Sequence, residues 1–242
     1  MQIIWNSRQG RQRSTNNDAA AIGSKDQIVV AIMVDASSKG ENGQEFACHW
    51  AKKIIERNLS LPDCLDINQL LAILRDEQKL LRYKYLHEIA SYCIMHLDIE
   101  SASLRVLSCG DCLTAITQDN KPIQWIYPPH KLSHEIALRE QSKLAVSIES
   151  QYLLTRSLNA RRFAEPACHF AKIPLGADVL LCTDGYWFEH MEQGVDTAQL
   201  NDDASMLKIA PGKASTSIQS DTENFFKIGE EMNLIWSDKS LK

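Results

Sequence analysis

The sequence predicts an α+β protein. Three observations carry this: two helical stretches follow one another in the first ninety residues, period-two alternation takes over from Tyr92, and two apolar runs, 28–34 and 179–182, each lead into an aspartate, Asp35 and Asp184. At 242 residues, 44% hydrophobic and 24% charged, the chain is long enough to bury a full core and has the composition of an ordinary folded protein.

Taken in order, residues 2–5 read as a short entry strand. Residues 19–22 and 28–34 flank a polar turn and read as a hairpin, which brings Asp18 and Asp35 to the same end. After a small, polar loop over 36–42, the residues Phe46, Ala47, Trp50, Ala51, Ile54 and Ile55 recur at helical spacing within 43–58. Asp66 with Gln69 forms a capping-box pattern that opens a second helix, and Leu70, Leu74, Leu81, Tyr85 and Ile89 extend its apolar face to about Ala90.

Strands dominate from there. Cys93, Met95, Leu97 and Ile99 alternate, Leu104, Val106 and Ser108 lead into a tight turn at 109–112, and a further strand runs through Ile116. Pro122, Pro128 and Pro129 interrupt the next stretch, which is expected to hold a strand around Trp125 and an exposed loop with His130 and His134. Further strands are expected at 145–148, 152–155, 168–173 and 179–182. Beyond Ile209, Pro211, Gly212 and the Ser/Thr-rich run to Ser220 read as a linker, followed by an apolar segment, 225–236, expected to pack back on the domain.

Composition excludes several classes. A net charge of -5 argues against a general nucleic-acid binder, although Arg8, Arg11 and Arg13 form a local cluster suited to one phosphate group. The longest apolar run, 28–34, is far shorter than the roughly 20 residues needed to cross a bilayer, and the N-terminus offers no signal-peptide core, so a soluble cytoplasmic protein is expected. The seven cysteines lack a framework spacing and read as reduced thiols. Cys109 and Cys112 form a C-x-x-C, but strand-like sequence on both sides and the lack of a second pair argue against a redox or zinc site. The seven histidines show no metal-ligand spacing and read as surface or structural residues.

Four aspartates are placed to share a site: Asp18, Asp35, Asp184 and Asp202. Carboxylates converging without cysteine or histidine suit hard cations such as Mg²⁺ or Mn²⁺, and point to a two-metal hydrolase.

The order of the short motifs then resembles a known family. Arg13, Ser14, Thr15, Asn16, Asn17, Asp18 is similar to the R-x-x-N-x-D motif of the bacterial protein phosphatase 2C-like (PPM) enzymes, metal-dependent Ser/Thr phosphatases. Asp35 is similar to the aspartate of D-G-x-G-G, and Gly43 to Ala47 resembles the start of the helix that follows it. Ser108 to Cys112 resembles N-V-G-D-S, Leu154 to Leu158 resembles L-T-R-x-L, Thr183, Asp184, Gly185 resembles S-D-G, and Asp202 to Ser205 is similar to D-N-x-T. The resemblance covers about residues 2–209.

It implies a four-layer α-β-β-α sandwich of two antiparallel sheets flanked by helices. The domain would span 1–209, with a C-terminal linker and short tail over 210–242. It implies two Mn²⁺ or Mg²⁺ ions: Asp35 bridging them, the Ala36 carbonyl adding a ligand to one, Asp184 and Asp202 holding the other, and Asp18 acting directly or through water. Asp111 would help hold a third ion, and Arg13 would bind substrate phosphate. The implied activity is hydrolysis of phosphoserine and phosphothreonine by a metal-activated water, with a phosphoprotein substrate and a cognate Ser/Thr kinase as partners.

Two departures stand out. Asp35, Ala36, Ser37, Ser38, Lys39 replaces D-G-x-G-G, and only Gly185 to Asn201 separate Asp184 from Asp202, which reads as a trimmed domain. The first favours an alternative, a catalytically weak or inactive phosphatase-like module that binds a phosphoprotein or kinase.

Overall fold

The computed structural model describes residues 1–139, 150 and 153–229. The strands are β1 (Gln2–Arg8), β2 (Asp18–Lys25), β3 (Ile28–Ala36), β4 (Ile89–Asp98), β5 (Ser103–Cys109), β6 (Leu113–Thr117), β7 (Gln124–Trp125), β8 (Leu158–Asn159), β9 (Ala167–Lys172), β10 (Asp178–Cys182), β11 (Ala204–Ala210), β12 (Ser215–Ser220) and β13 (Phe225–Ile228). The helices are α1 (Gly43–Leu59), α2 (Ile67–Leu80) and α3 (Leu132–Arg139), with a π-helix over Gly185–Glu192.

The strands form two sheets. One runs β12-β1-β11-β10-β6-β7, the other β13-β2-β3-β4-β5-β9 with β8 beside β4. The apolar core between them is built from Ile3, Trp5, Met33, Met95, Val106, Leu181 and Leu207, among others. A second core, with Val30, Ile32, Phe46, Trp50, Ile54, Leu70 and Leu74, lies between the outer face of the second sheet and α1 and α2. This is the expected sandwich, and β2 shows why it packs closely. Ala19, Ala21 and Gly23 alternate toward the helix side, and a Cβ on Gly23 would meet the Leu59 side chain at 2.5 Å. Small residues weaken a strand in isolation, but here they let α1 sit directly on the sheet.

Four differences from the sequence reading have physical causes. The second helix ends at Leu80, not near Ala90: a 3-10 turn over Leu81–Tyr83 follows, Leu81 and Tyr85 stay buried, and Ile89 and Ala90 pair in β4. Apolar residues at near-helical spacing thus continue past the helix because the turn returns them to the same core. Asp66 caps α2 by accepting from the Asn68 and Gln69 amides at 2.9 and 3.1 Å, but the Gln69 side chain reaches its carboxylate rather than its backbone amide.

His134, expected in a loop, lies in α3, which begins at Leu132, shortly after the two prolines. Proline disfavours the helical region for the residue before it, yet leaves the chain free to turn helical after it. Lastly, the stretch expected as linker and tail adds one strand to each sheet. β12 runs parallel to β1 and β13 parallel to β2, so neither sheet is purely antiparallel. The strand expected at 145–148 and the apolar residues from Met232 to Trp236 lie outside the described residues. No helix among the described residues is long and apolar enough to cross a membrane.

Asn224, between the two late strands, joins the sheets. Its buried Oδ1 accepts from Trp5 Nε1 at 3.0 Å and Ser220 Oγ at 2.8 Å, and its Nδ2 donates to Ser7 Oγ at 2.8 Å and to the Asp18 carbonyl at 2.9 Å. Both donors and both acceptor positions of the amide are therefore used. Trp5 also stacks on Phe225, ring centroids 5.6 Å apart. Asn224→Leu leaves the indole N–H and the Asp18 carbonyl buried without partners, and should lower stability by about 2–4 kcal/mol. Urea denaturation would show this as a lower midpoint at unchanged slope; an unchanged midpoint would refute the role.

Candidate metal centre

The acidic site lies at one end of the sandwich. Register places its first pair: Asp18 and Asp35 are direct partners across the antiparallel β2–β3 ladder, and both lie on the alternating positions that face the other sheet. Directly opposed residues in such a ladder have Cβ atoms about 5 Å apart. One strand further, Ser91 partners Asp35, and Ser91 Oγ donates to Asp111 Oδ1 at 2.6 Å. Gly110 makes that approach feasible: its φ is +105°, and a Cβ there would meet the Ser91 Cβ at 2.5 Å.

The first sheet supplies the other side. β10 ends at Cys182, and Thr183 then binds both layers: its Oγ1 donates to Asp18 Oδ2 at 3.0 Å and accepts from the Ser205 amide at 2.9 Å. Asp184 follows at the start of the π-helix. Gly185 is required there, since a Cβ would meet the Asp203 carbonyl oxygen at 2.1 Å. Asp202 and Asp203 precede β11 and point to different tasks. Asp203 is buried and accepts the Gly10 and Asn17 amides at 2.9 and 2.8 Å, tying the Arg13-bearing loop to β11. The sequence reading passed over it, and the Asp-Asp doublet was its only signal.

Two basic side chains enter the cluster. Arg13 forks onto Asp202, Nε to Oδ1 and Nη2 to Oδ2 both at 2.6 Å, while Nη1 donates to Ser38 Oγ at 3.0 Å. Lys131, which sequence reasoning missed, is 6% exposed and places its Nζ 3.0 Å from Asp111 Oδ2 and 3.1 Å from Asp184 Oδ2. Burial alone would lower its pKa, but Asp111 and Asp184 hold it above its ordinary value. His130, beside it, accepts the Gly110 amide on Nδ1 at 3.2 Å, and burial with nearby Arg156 lowers its pKa to about 4, so it is a neutral structural residue. Cys109 and Cys112 are unpaired and buried, which pushes the Cys109 thiol up to about 12. A cavity of about 710 Å³ opens beside Lys131, walled by Trp125, Tyr127, His134, Trp187 and Phe188.

The structure therefore brings Asp18, Asp35, Ala36, Asp111, Asp184, Asp202 and Arg13 to one region, but not into one ligand shell. Among the described residues, no three carboxylate, histidine or cysteine side chains converge tightly enough to hold an ion between them. Asp184 and Asp202 face basic partners. Asp18 and Asp35 do not: Asp18 Oδ1 is buried without a hydrogen-bond partner, and Asp35 is in none of the ion pairs among the described residues. Burial, then Asp18, Asp184, Asp111 and Asp202, pushes Asp35 well above the usual carboxylate range. Burial and Asp203 do the same for Asp18, and burial with Asp111 raises Asp184 to about 7 despite Lys131. An uncompensated pair of hard oxygen donors fits one Mg²⁺ or Mn²⁺, which takes one or two carboxylates and completes its shell with water.

The raised Asp35 pKa has a stability consequence. A carboxylate raised in the folded state adds stability below its unfolded pKa, and that stability is lost as pH rises through the folded value. Chelator-treated Asp35→Asn should then melt about 2–4 °C above chelator-treated wild type at pH 8, with the gap closing toward pH 4. Equal melting temperatures at pH 8 would show that the repulsion is absent.

No protein-family model and no curated protein sequence matches the chain. Solved structures do. The chain is similar to the serine/threonine phosphatase Stp1 from Staphylococcus aureus, at 14% identity over 87% of this chain and 94% of that one, with a TM-score of 0.72. It is similar to the PPM Ser-Thr phosphatase MsPP from Mycobacterium smegmatis in complex with cacodylate, at 16% identity over 87% and 98%, with a TM-score of 0.65. The catalytic domain of the serine/threonine protein phosphatase PstP, in complex with 2 manganese ions, matches at 14% identity over 85% and 96%, with a TM-score of 0.59. At such identities the likeness is one of architecture: the chain has the protein phosphatase 2C-like fold of bacterial PPM Ser/Thr phosphatases.

Proposed function

We propose that the chain is a divalent-cation-dependent phosphatase that hydrolyses phosphoserine and phosphothreonine in a cytoplasmic phosphoprotein, opposite a cognate Ser/Thr kinase. The observation that carries this reading is the facing pair Asp18 and Asp35, two carboxylates without a basic partner among the described residues, at the site end of a phosphatase fold. Asp35 and Asp18, with the Ala36 carbonyl, would hold Mn²⁺ or Mg²⁺. The bound cation would supply an acidified water and offset charge on the phosphoryl group.

The chain's own residues do the rest. Asp202 and Ser38 occupy three of the five guanidinium N–H groups of Arg13, which leaves two for a substrate phosphate. Asp202 thereby acts as a positioning residue for Arg13. Thr183 fixes Asp18 through one oxygen and leaves the other free. The loop after Asp35 lacks the family's glycines, yet it is anchored: the Ala36 amide donates to the Asn17 carbonyl at 3.1 Å, and Glu88 Oε1 accepts the Glu41 and Asn42 amides at 3.1 and 3.0 Å. A second ion, the complement that the PstP structure carries, would require Asp184 and Asp202 to exchange Lys131 and Arg13 for metal.

That requirement favours a second reading, a catalytically weak or inactive module that binds a phosphoprotein or kinase without turnover. Hydrolysis of a small aryl phosphate separates the two. The phosphatase reading expects turnover with Mn²⁺ or Mg²⁺, none with chelator, and a loss of about 10²-fold or more in Asp35→Asn. Folded protein that is inert with either metal would leave the second reading, to be met by phosphopeptide binding that Arg13→Ala abolishes.

A further inference from the structure

We propose that Lys131 is a built-in cation that fills the Asp111–Asp184 end of the site, so that the chain binds one divalent ion fewer than its carboxylates would otherwise hold. The inference deepens the phosphatase reading and rests on it only for the ion at Asp35 and Asp18.

The geometry is that of an ion bridge. One ammonium sits 3.0 Å from an Asp111 oxygen and 3.1 Å from an Asp184 oxygen, and the Lys131 and Asp111 side chains are 7% and 8% exposed. Asp111 has no freedom to turn elsewhere. Its other oxygen accepts from Ser91 Oγ at 2.6 Å, its amide donates to the same hydroxyl at 3.1 Å, and its carbonyl accepts Trp187 Nε1 at 2.9 Å.

Two aromatic rings also flank the ammonium. The Trp187 and Phe188 rings lie 5.1 and 5.2 Å from Nζ, a contact that suits a desolvated ammonium and offers no hydrogen-bond acceptor to the water shell of a divalent metal. The backbone holds the lysine in place as well. Lys131 pairs with Leu154 in an isolated bridge and its carbonyl accepts the His134 and Glu135 amides at 3.1 Å at the start of α3. Arginine at the same position would keep the charge; methionine would keep the length and remove it.

The test is the number of Mn²⁺ ions bound per whole chain, counted by native mass spectrometry and by calorimetry. Lys131→Met should bind one ion more than wild type, Lys131→Arg should bind the wild-type number, and adding Asp111→Asn to Lys131→Met should remove the extra ion. Asp111→Asn alone should leave the wild-type count unchanged, and this variant decides the matter if Lys131→Met does not fold. Equal counts in wild type and Lys131→Met, or loss of an ion from wild type through Asp111→Asn, would overturn the inference. Wild type that binds no ion while Lys131→Met binds one would support Lys131 as the resident cation and defeat the metal-dependent reading instead.

Discussion

The β2–β3 register governs the rest of this structure. A ladder that sets Asp18 against Asp35 opposes two carboxylates at a distance fixed by backbone hydrogen bonds, and like charges so placed are destabilising. The surroundings respond at each point. Thr183 donates to one oxygen of Asp18, Lys131 neutralises the neighbouring Asp111 and Asp184, and Arg13 holds Asp202 at the rim. What remains unneutralised is the opposed pair itself. Asparagine at either position would relieve the repulsion, so the opposed acids cost the fold stability rather than adding to it.

Much of this was legible in the sequence, for identifiable reasons. Apolar runs that lead into aspartate foretold β3, which carries Asp35, and β10, which leads to Asp184, and helical spacing of Phe46, Trp50, Ile54 and Ile55 foretold α1, whose stripe is fully buried. Lys131 was illegible because a lone lysine after two prolines looks like solvent-facing loop, and only tertiary structure brings it beneath Trp187. β12 was mistaken for a linker for a related reason: an edge strand exposed on both faces needs no apolar alternation, so Ser215 to Ser220 carries no period-two signal. Asp203 was hidden by its neighbour, since a doublet does not say which carboxylate turns inward.

The two resident cations also show how a site can keep its acids while changing what neutralises them. A lysine ammonium and an arginine fork are permanent, whereas a metal comes and goes with its concentration. Arg13 is held at the solvent edge and retains free donors, while Lys131 is sealed between Asp111, Asp184 and two aromatic rings. The first keeps two donors unused at the surface; the second has its charge already met by two carboxylates. The architecture shared with the bacterial phosphatases survives at 14% identity because the burial pattern of the two sheets can be met by many apolar side chains, whereas a charge pattern cannot.

The position of β1 carries a consequence for how the molecule is assembled. β1 lies between β11 and β12, so it is flanked on both sides by strands made some two hundred residues later. The β2-β3-β4-β5 meander with α1 and α2, by contrast, is joined by short-range connections and is complete by residue 109. On a ribosome β2 to β5 and their two helices have one another early, while β1 waits with Trp5 uncovered until residue 220 has emerged. The acidic centre needs both sheets, so it closes last, and Asp18, Asp35, Asp184 and Asp202 do not meet until nearly all of the described length is in place.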